Sequence, residues 1–359
     1  MVNIRKLKED EVEKWLVHCT YVFTKGAMTR EKYEYFSTHY YNEPYQNKTK
    51  ILVMVENDEI LSTVKIIDRQ IHVNGNILKM GGIAEVSTKP EHGGKGYSSM
   101  LIRHAIHIME DEGYHLTVLS AGIPDFYKKF GWEKITINEN IIGTSIQDIR
   151  QRLEDKLPQI PQNELWGYLP DKWVIRDVDY DHDIQDLSDI YSQYSSKFNG
   201  SIVRDEIYWD KWIRNEGKSV KVLSDADHHI LGYIDIGIWD EEMLTIKDFG
   251  CKHENDDISS IIFFELLSRR LEAHFEQCRE PYPGQQENIK IVIPAVIDKN
   301  AFGLNIIEKF DYTRRMARMI TPFKCGEVLI NNTNDLIHLL EKRNEDGGAG
   351  YFYWSVDKF

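Results

Sequence analysis

The chain has 359 residues, which at roughly 150 residues per domain predicts two domains and a smaller remainder. Hydrophobic residues make up 42% and charged residues 28%, ordinary values that exclude a disordered, collagen-like or disulfide-scaffold chain. Fifty-eight acids against 44 bases, a net charge of −14, speak against nucleic acid or anionic membrane as partners, because phosphate calls for basic patches. No apolar run approaches the roughly 18 residues of a bilayer span. The start, Met1-Val2-Asn3-Ile4-Arg5-Lys6, lacks the apolar stretch of a signal peptide, so a cytoplasmic protein is expected. Cys19, Cys251, Cys278 and Cys325 lie far apart without metal-type spacing and read as free thiols, with no metal site expected.

After a short opening strand, Val12, Trp15, Leu16, Cys19 and Val22 follow helical spacing across residues 9–23, and residues 31–39 read as a second helix. The period then changes. Runs at 51–55, 59–67 and 69–73 are β-rich and punctuated by Glu56-Asn57-Asp58 and Asn74-Gly75-Asn76, which predicts an antiparallel meander. A strand at 83–88 leads through Lys89-Pro90-Glu91-His92 into Gly93-Gly94-Lys95-Gly96, which opens a helix over 97–112 that Gly113 ends. A strand at 116–120, a short helix at 125–130 and a strand running to Ile137 complete the first part.

A glycine-rich turn at a helix start leaves several N–H groups pointing outward at the positive end of the helix dipole, where a pyrophosphate can bind. Alone, such a turn is as often purely structural. The Gly-x-x-x-x-Gly-Lys-Ser/Thr spacing is not met, nor is a dinucleotide fingerprint with its acid about 20 residues on. Val86-Ser87-Thr88-Lys89-Pro90-Glu91-His92-Gly93-Gly94-Lys95-Gly96-Tyr97-Ser98-Ser99, with Asp125-Phe126-Tyr127-Lys128-Lys129-Phe130-Gly131-Trp132 downstream, resembles the acetyl-CoA signature of the GCN5-related N-acetyltransferases (GNAT). The resemblance implies that Val86, Ser87 and Thr88 line the pantetheine arm, that Gly93, Gly94, Lys95, Gly96, Tyr97 and Ser98 hold the phosphates, and that acetyl-CoA is the cosubstrate. Gly93 stands where the family has Arg or Gln, and Ser98 where it has Gly or Ala.

Residues 173–320 repeat the order: a strand at 173–176, helices at 184–194 and 204–214, a meander at 220–223, 230–238 and 243–249, a long helix at 258–275, a strand at 289–294 and a helix at 301–310. Lys128-Lys129-Phe130-Gly131-Trp132 is echoed by Glu308-Lys309-Phe310-Asp311-Tyr312. In place of the glycine turn stands Cys251-Lys252-His253-Glu254-Asn255-Asp256-Asp257, whose acids repel a pyrophosphate, so one acetyl-CoA site per chain is expected. The fold class read here is α/β with a mixed sheet. Its expected parts are a catalytic lobe at 1–150, a degenerate copy at 165–322 and a short segment at 323–359. Tandem lobes of this kind, with Phe198-Asn199-Gly200-Ser201-Ile202-Val203-Arg204-Asp205-Glu206 in the middle of the chain, resemble the enhanced intracellular survival (Eis) family of bacterial acetyltransferases. There the C-terminal third is a sterol-carrier-like domain, of which 323–359 would be a remnant, and the last residue is often an aromatic whose α-carboxylate reaches the active site. That leaves a homo-oligomer open and points to Phe359.

The resemblance makes Tyr127 the acid that protonates the leaving thiolate, since a phenol near pKa 10 suits that task; the alternative is a Tyr packed under the Phe130-Gly131-Trp132 turn. Phe359 is the candidate base, against the alternative of a frayed terminus, and Glu85 competes from the strand face opposite Val86. His104 and His107 flank an apolar helix stripe, and His228-His229 with Asp225 and Asp227 read as a solvated turn. Tyr33, Tyr35, Phe36, Tyr40, Tyr41 and Tyr45, with Glu34 and Glu43, either wall an amine pocket or pack a core. The function the resemblance implies is N-acetyl transfer from acetyl-CoA to a primary amine of a small molecule, a lysine or an N-terminus, by direct attack in a ternary complex. The alternative is a non-catalytic acyl-CoA-binding sensor or assembly module.

Overall fold

In chain order the elements are β1 (Asn3–Lys6), α1 (Val12–Phe23), α2 (Arg30–Tyr41), β2 (Lys50–Glu56), β3 (Glu59–Val73), β4 (Asn76–Thr88), α3 (Tyr97–Asp111), β5 (Leu116–Ser120), α4 (Pro124–Lys128) and β6 (Glu133–Lys134). There follow β7 (Asn138–Thr144), α5 (Ile146–Lys156), β8 (Val174–Asp177), α6 (Ile184–Ser195), α7 (Glu206–Tyr208), α8 (Arg214–Glu216), β9 (Lys221–Ser224), β10 (Ile230–Ile238), β11 (Met243–Cys251), α9 (Asp256–Gln277) and β12 (Ile289–Pro294). The chain closes with β13 (Ile306–Asp311), β14 (Arg315–Met319), β15 (Phe323–Cys325), β16 (Val328–Ile330) and α10 (Thr333–Glu341). This computed structural model describes all residues except 1, 160–172, 217–218, 239–242, 253–255, 278–288, 295–296, 298–303, 312–313, 343–350, 353–356 and 358–359. Among the described residues no helix is long and apolar enough to cross a membrane.

The first unit takes in Met1–Thr136 and Thr313–Glu341. Its seven-stranded sheet runs β1-β2-β3-β4-β5-β14-β6. Both hairpin turns read from the sequence are two-residue turns with positive φ, Asn57-Asp58 and Asn74-Gly75, whose twist matches that of the strands they join. Residues 59–73 are one strand rather than two, because Asp68 and Arg69 inside it are buried with partners: Tyr114 Oη donates to Asp68 at 2.7 Å and Arg69 pairs with Glu43. One sheet face buries Leu101, Ile102, Ala105 and Met109 of α3 against Leu52, Met54, Val64 and Ile83. The other buries Trp15, Leu16 and Cys19 of α1 with Phe36 of α2 against Ile51, Val53 and Val55. Each large side chain so buried contributes about 1.5–3 kcal/mol.

The second unit spans Ile137–Tyr312 and Lys342–Lys358, with a sheet ordered β13-β7-β12-β11-β10-β9-β8. Its succession of strand, helices, three-stranded meander, long helix and strand repeats that of the first unit, and both sheets hold one parallel neighbour pair, β4 with β5 and β11 with β12. The fold is therefore α/β with tandem lobes, as expected.

Three expectations need correction. Residues 306–311 form a strand paired with β7, not a helix; the likeness to the segment ending in Trp132 is one of sequence, and sheet pairing overrides it (301–303 lie outside the described residues). The first unit ends at Thr136 rather than near 150, and β14 enters its sheet between β5 and β6. The segment 323–359 is not a third body. Residues up to Glu341 belong to the first unit, where Thr136 N donates to Glu341 at 2.7 Å, whereas Tyr351, Phe352 and Asp357 are buried in the second.

Candidate active site

Strands β4 and β5 pair in parallel only from Met80↔Leu116 to Gly82↔Val118. Beyond that point β4 continues six residues to Thr88, paired with β3 alone. The register with β3 slips between Thr63 and Lys65, opposite Glu85, whose φ of +48° marks a bulge. The bulge sends Glu85 to Lys65, 3.6 Å away, on the α1 face, while Val86 packs on the α3-side cluster. Glu85 therefore lies opposite Val86, as alternation predicts. Its side chain is only 9% exposed, burial pushes its carboxyl up against the pull of Lys65, and Oε2 has no partner.

At the end of β4, Thr88 Oγ1 and Ser98 Oγ are 2.6 Å apart, tying the strand to the first turn of α3. Ser62 Oγ lies 2.8 Å from the same threonine and donates to Ser87 O at 2.7 Å. Between strand and helix, Gly94 and Gly96 adopt φ of +75° and +79°, a region that costs side-chain-bearing residues about 1–2 kcal/mol. A Cβ on either would meet nothing within 4 Å. The N–H groups of Gly94, Lys95, Gly96, Tyr97 and Ser98 donate to no described residue, and the first turn of α3 carries no acid. Open backbone donors at a helix N-terminus form an anion cradle, and a pyrophosphate fits this one. Lys95 Nζ sits 3.1 Å from His92 Nδ1 and adds positive charge at the mouth.

Tyr127 on α4 is 8% exposed and packs with Ile83, Leu119, Trp132 and Met316. Burial pushes its hydroxyl up to about 12. The same cluster receives Val86 and Tyr97, so the diverging strands, the glycine turn and Tyr127 share one cluster. Phe359 lies outside the described residues.

The rings and acids at 33–45 divide between core and surface, with Tyr35 and Tyr41 exposed. Phe36 is buried, and Tyr33 and Tyr40 lie against the α1-side core. Tyr33 Oη donates to Glu13 at 2.8 Å, Glu34 pairs with exposed Arg30, and Glu43 forms a fully buried pair with Arg69 at 2.6 Å. Burial works against Glu43's charge, yet Arg69 holds the carboxyl below its usual range. His104 is exposed, as is His107, which faces Glu110 and Asp111. Asp225, Asp227 and His229 bring ligand atoms within 4.8 Å of one another, but Asp225 Oδ1 accepts from Asp227 N and His229 N at 2.9 Å, the bonding of a turn. Cys19, Cys251 and Cys325 are buried and in no disulfide, and Cys278 lies outside the described residues.

Sequence reasoning missed His18. Its Nε2 lies 3.1 Å from Ser87 Oγ and its Nδ1 3.1 Å from Ile60 O, fixing the strand end that borders the cradle. Burial lowers its pKa to about 4. His18 also lines an apolar cleft of about 600 Å³ with Val17, Tyr21, Met28 and Ile60. Its place in the α1 stripe next to Cys19 was the available signal.

Residues 3–135 match the family model described as Acetyltransferase (GNAT) domain. No curated protein sequence matches the chain. Among solved structures, a conserved protein of unknown function from Enterococcus faecalis V583 superposes with a TM-score of 0.63 at 15% identity, over 89% of this chain and 72% of that one. A GCN5-related N-acetyltransferase from Kribbella flavida gives 0.63 at 14%, over 89% and 71%. Eis1 from Mycobacterium abscessus gives 0.53 at 13%, over 89% and 74%. At these identities the likeness is one of fold. The family likeness thus covers residues 3–135, which match an acetyltransferase (GNAT) domain, in a chain whose tandem two-lobed fold is similar to that of Eis1 from Mycobacterium abscessus.

Proposed function

We propose that the chain is an acetyl-CoA-dependent N-acetyltransferase acting on a primary amine of a small molecule, a lysine or an N-terminus, by direct attack in a ternary complex. The observation that carries this reading is the divergence of β4 from β5 after Gly82↔Val118, leading into the open N–H cradle at 94–98. Acetyl-CoA, when bound, supplies the thioester. The free edge of β4 at Val86, Ser87 and Thr88 holds the pantetheine arm, and Gly93, Gly94, Lys95, Gly96, Tyr97 and Ser98 hold the phosphates. At the corresponding place in the second unit the sequence has the acids Glu254, Asp256 and Asp257 instead of glycines, and residues 253–255 there lie outside the described residues.

Tyr127 is the acid. At about 12 its hydroxyl stays protonated at every working pH, and it is a weaker acid than a free phenol. Most of its help therefore comes as a hydrogen bond to the developing thiolate. The Phe359 α-carboxylate is the base that takes the amine proton. A second reading gives that role to Glu85, favoured by its raised pKa and unpartnered Oε2. A thiol-release assay with a panel of amines tests the function: turnover with at least one primary amine is expected. Acetyl-CoA binding by calorimetry without turnover on any amine would leave only the sensor reading.

A further inference from the structure

A row of hydroxyls runs from the buried sheet to the mouth of the cradle. Ser62 Oγ donates to Ser87 O at 2.7 Å and lies 2.8 Å from Thr88 Oγ1, which in turn lies 2.6 Å from Ser98 Oγ. Each hydroxyl has one proton and two lone pairs, so the first bond fixes the direction of the others. Ser62, fully buried, gives its proton to the carbonyl and meets Thr88 only as an acceptor. Thr88, its proton spent on Ser62, meets Ser98 only as an acceptor too. Ser98 therefore ends the row with its proton turned back into the fold. It is half-buried in the first turn of α3, among the residues whose N–H groups stay open to the cradle. The inner end is anchored. His18 Nδ1 can meet Ile60 O only by donating, which leaves Nε2 to accept from Ser87 Oγ.

An anion in the cradle opens a second arrangement of the same row. Ser98 turns its proton outward to the anion, Thr88 turns its own from Ser62 to Ser98, and Ser62 keeps the carbonyl. Rotation of the Ser98 and Thr88 hydroxyls is enough, and no heavy atom has to move. The number of hydrogen bonds is the same before and after, but the new one is charge-assisted and so the stronger. Aligned donors along the row strengthen one another further. Gly93, Gly94 and Gly96 bring no side-chain donor, so the Ser98 hydroxyl adds to a cradle made largely of backbone.

We infer that Ser98 Oγ is a side-chain donor to a phosphate of CoA, and that Thr88 and Ser62 are positioning residues that hold it and let its proton turn toward the anion. This rests on the reading of residues 93–98 as the phosphate site.

Ser98→Ala, Ser98→Thr and Thr88→Val, each melted to check folding, test it with two thioesters: acetyl-CoA, and S-acetylpantetheine, which lacks the nucleotide phosphates. Calorimetry reads acetyl-CoA affinity, and kcat/KM on an amine that turns over reads the preference for acetyl-CoA over S-acetylpantetheine. Ser98→Ala is expected to bind acetyl-CoA roughly 10- to 150-fold more weakly, the worth of one charge-assisted hydrogen bond, and to lose the preference by a similar factor. Ser98→Thr keeps the hydroxyl and most of the preference, and Thr88→Val falls between. Ser98→Ala binding acetyl-CoA like the wild type overturns the inference. Equal losses on both thioesters overturn it as well, because the row is then only a brace between strand and helix. Wild-type protein that uses the two thioesters equally well refutes the phosphate-site reading instead, and the inference falls with it.

Discussion

Placing a methyl group on Gly94 or Gly96 separates the fold from the site. Both residues sit near φ +75° to +79°, and a Cβ there meets nothing within 4 Å. The penalty to folding is therefore backbone strain alone, about 1–2 kcal/mol per alanine, or roughly 2–8 °C in Tm for a unit of this size. The space around that Cβ is the space a phosphate must enter to reach the N–H groups of 94–98. Displacing it removes about one charge-assisted hydrogen bond of about 1.5–3 kcal/mol, a loss of roughly 10- to 150-fold in affinity. Calorimetry with acetyl-CoA reads the affinity and thermal melts read the strain. If Gly94→Ala and Gly96→Ala both melt early yet bind acetyl-CoA like the wild type, the loop is a turn and nothing more.

Tyr127→Phe keeps the ring packing and removes the donor; kcat should fall about 100-fold with acetyl-CoA affinity nearly unchanged, and equal losses in both would contradict the acid assignment. Glu43→Ala should cost about 3–5 kcal/mol in urea unfolding because it strands buried Arg69, whereas Glu34→Ala on its exposed pair should cost well under about 1 kcal/mol. His18 is held neutral by burial, with its pKa lowered from 6.5 to about 4. The unfolded chain therefore takes up that proton first, and stability is full above pH 6.5 and declines down to about pH 4, by about 3 kcal/mol from this residue. His18→Asn should be less stable at neutral pH but show a shallower decline over that window; an unchanged slope would mean that His18 is not the titrating group.

What was legible in the sequence was local. The strand, glycine turn and helix at 83–111 follow from contiguous residues, as do the two-residue turns at Asn57-Asp58 and Asn74-Gly75, because each conformation is chosen by the residues that adopt it. The non-local pairings were not legible. β14 lies about 200 residues along the chain from β5 yet completes the first sheet, and the strand at 306–311 is made by pairing with β7 against a sequence that looks helical. The pairing of Arg204 with Asp357, 153 positions apart, likewise has no local signature. Within the site, Tyr127 and the glycines could be named in advance. The burial of Glu85 and the His18–Ser87 contact could not, since one needs a bulge and the other the docking of α1.

The central claim is that one site, in the first unit, passes an acetyl group directly from acetyl-CoA to an amine. Mixing the protein with acetyl-labelled acetyl-CoA in a single turnover, with and without an acceptor amine, tests it most directly. The account predicts label on the amine, dependence on Tyr127 and on the glycine turn, and no label on the protein when the amine is withheld. Label retained covalently on the protein, or none transferred to any amine, would contradict it.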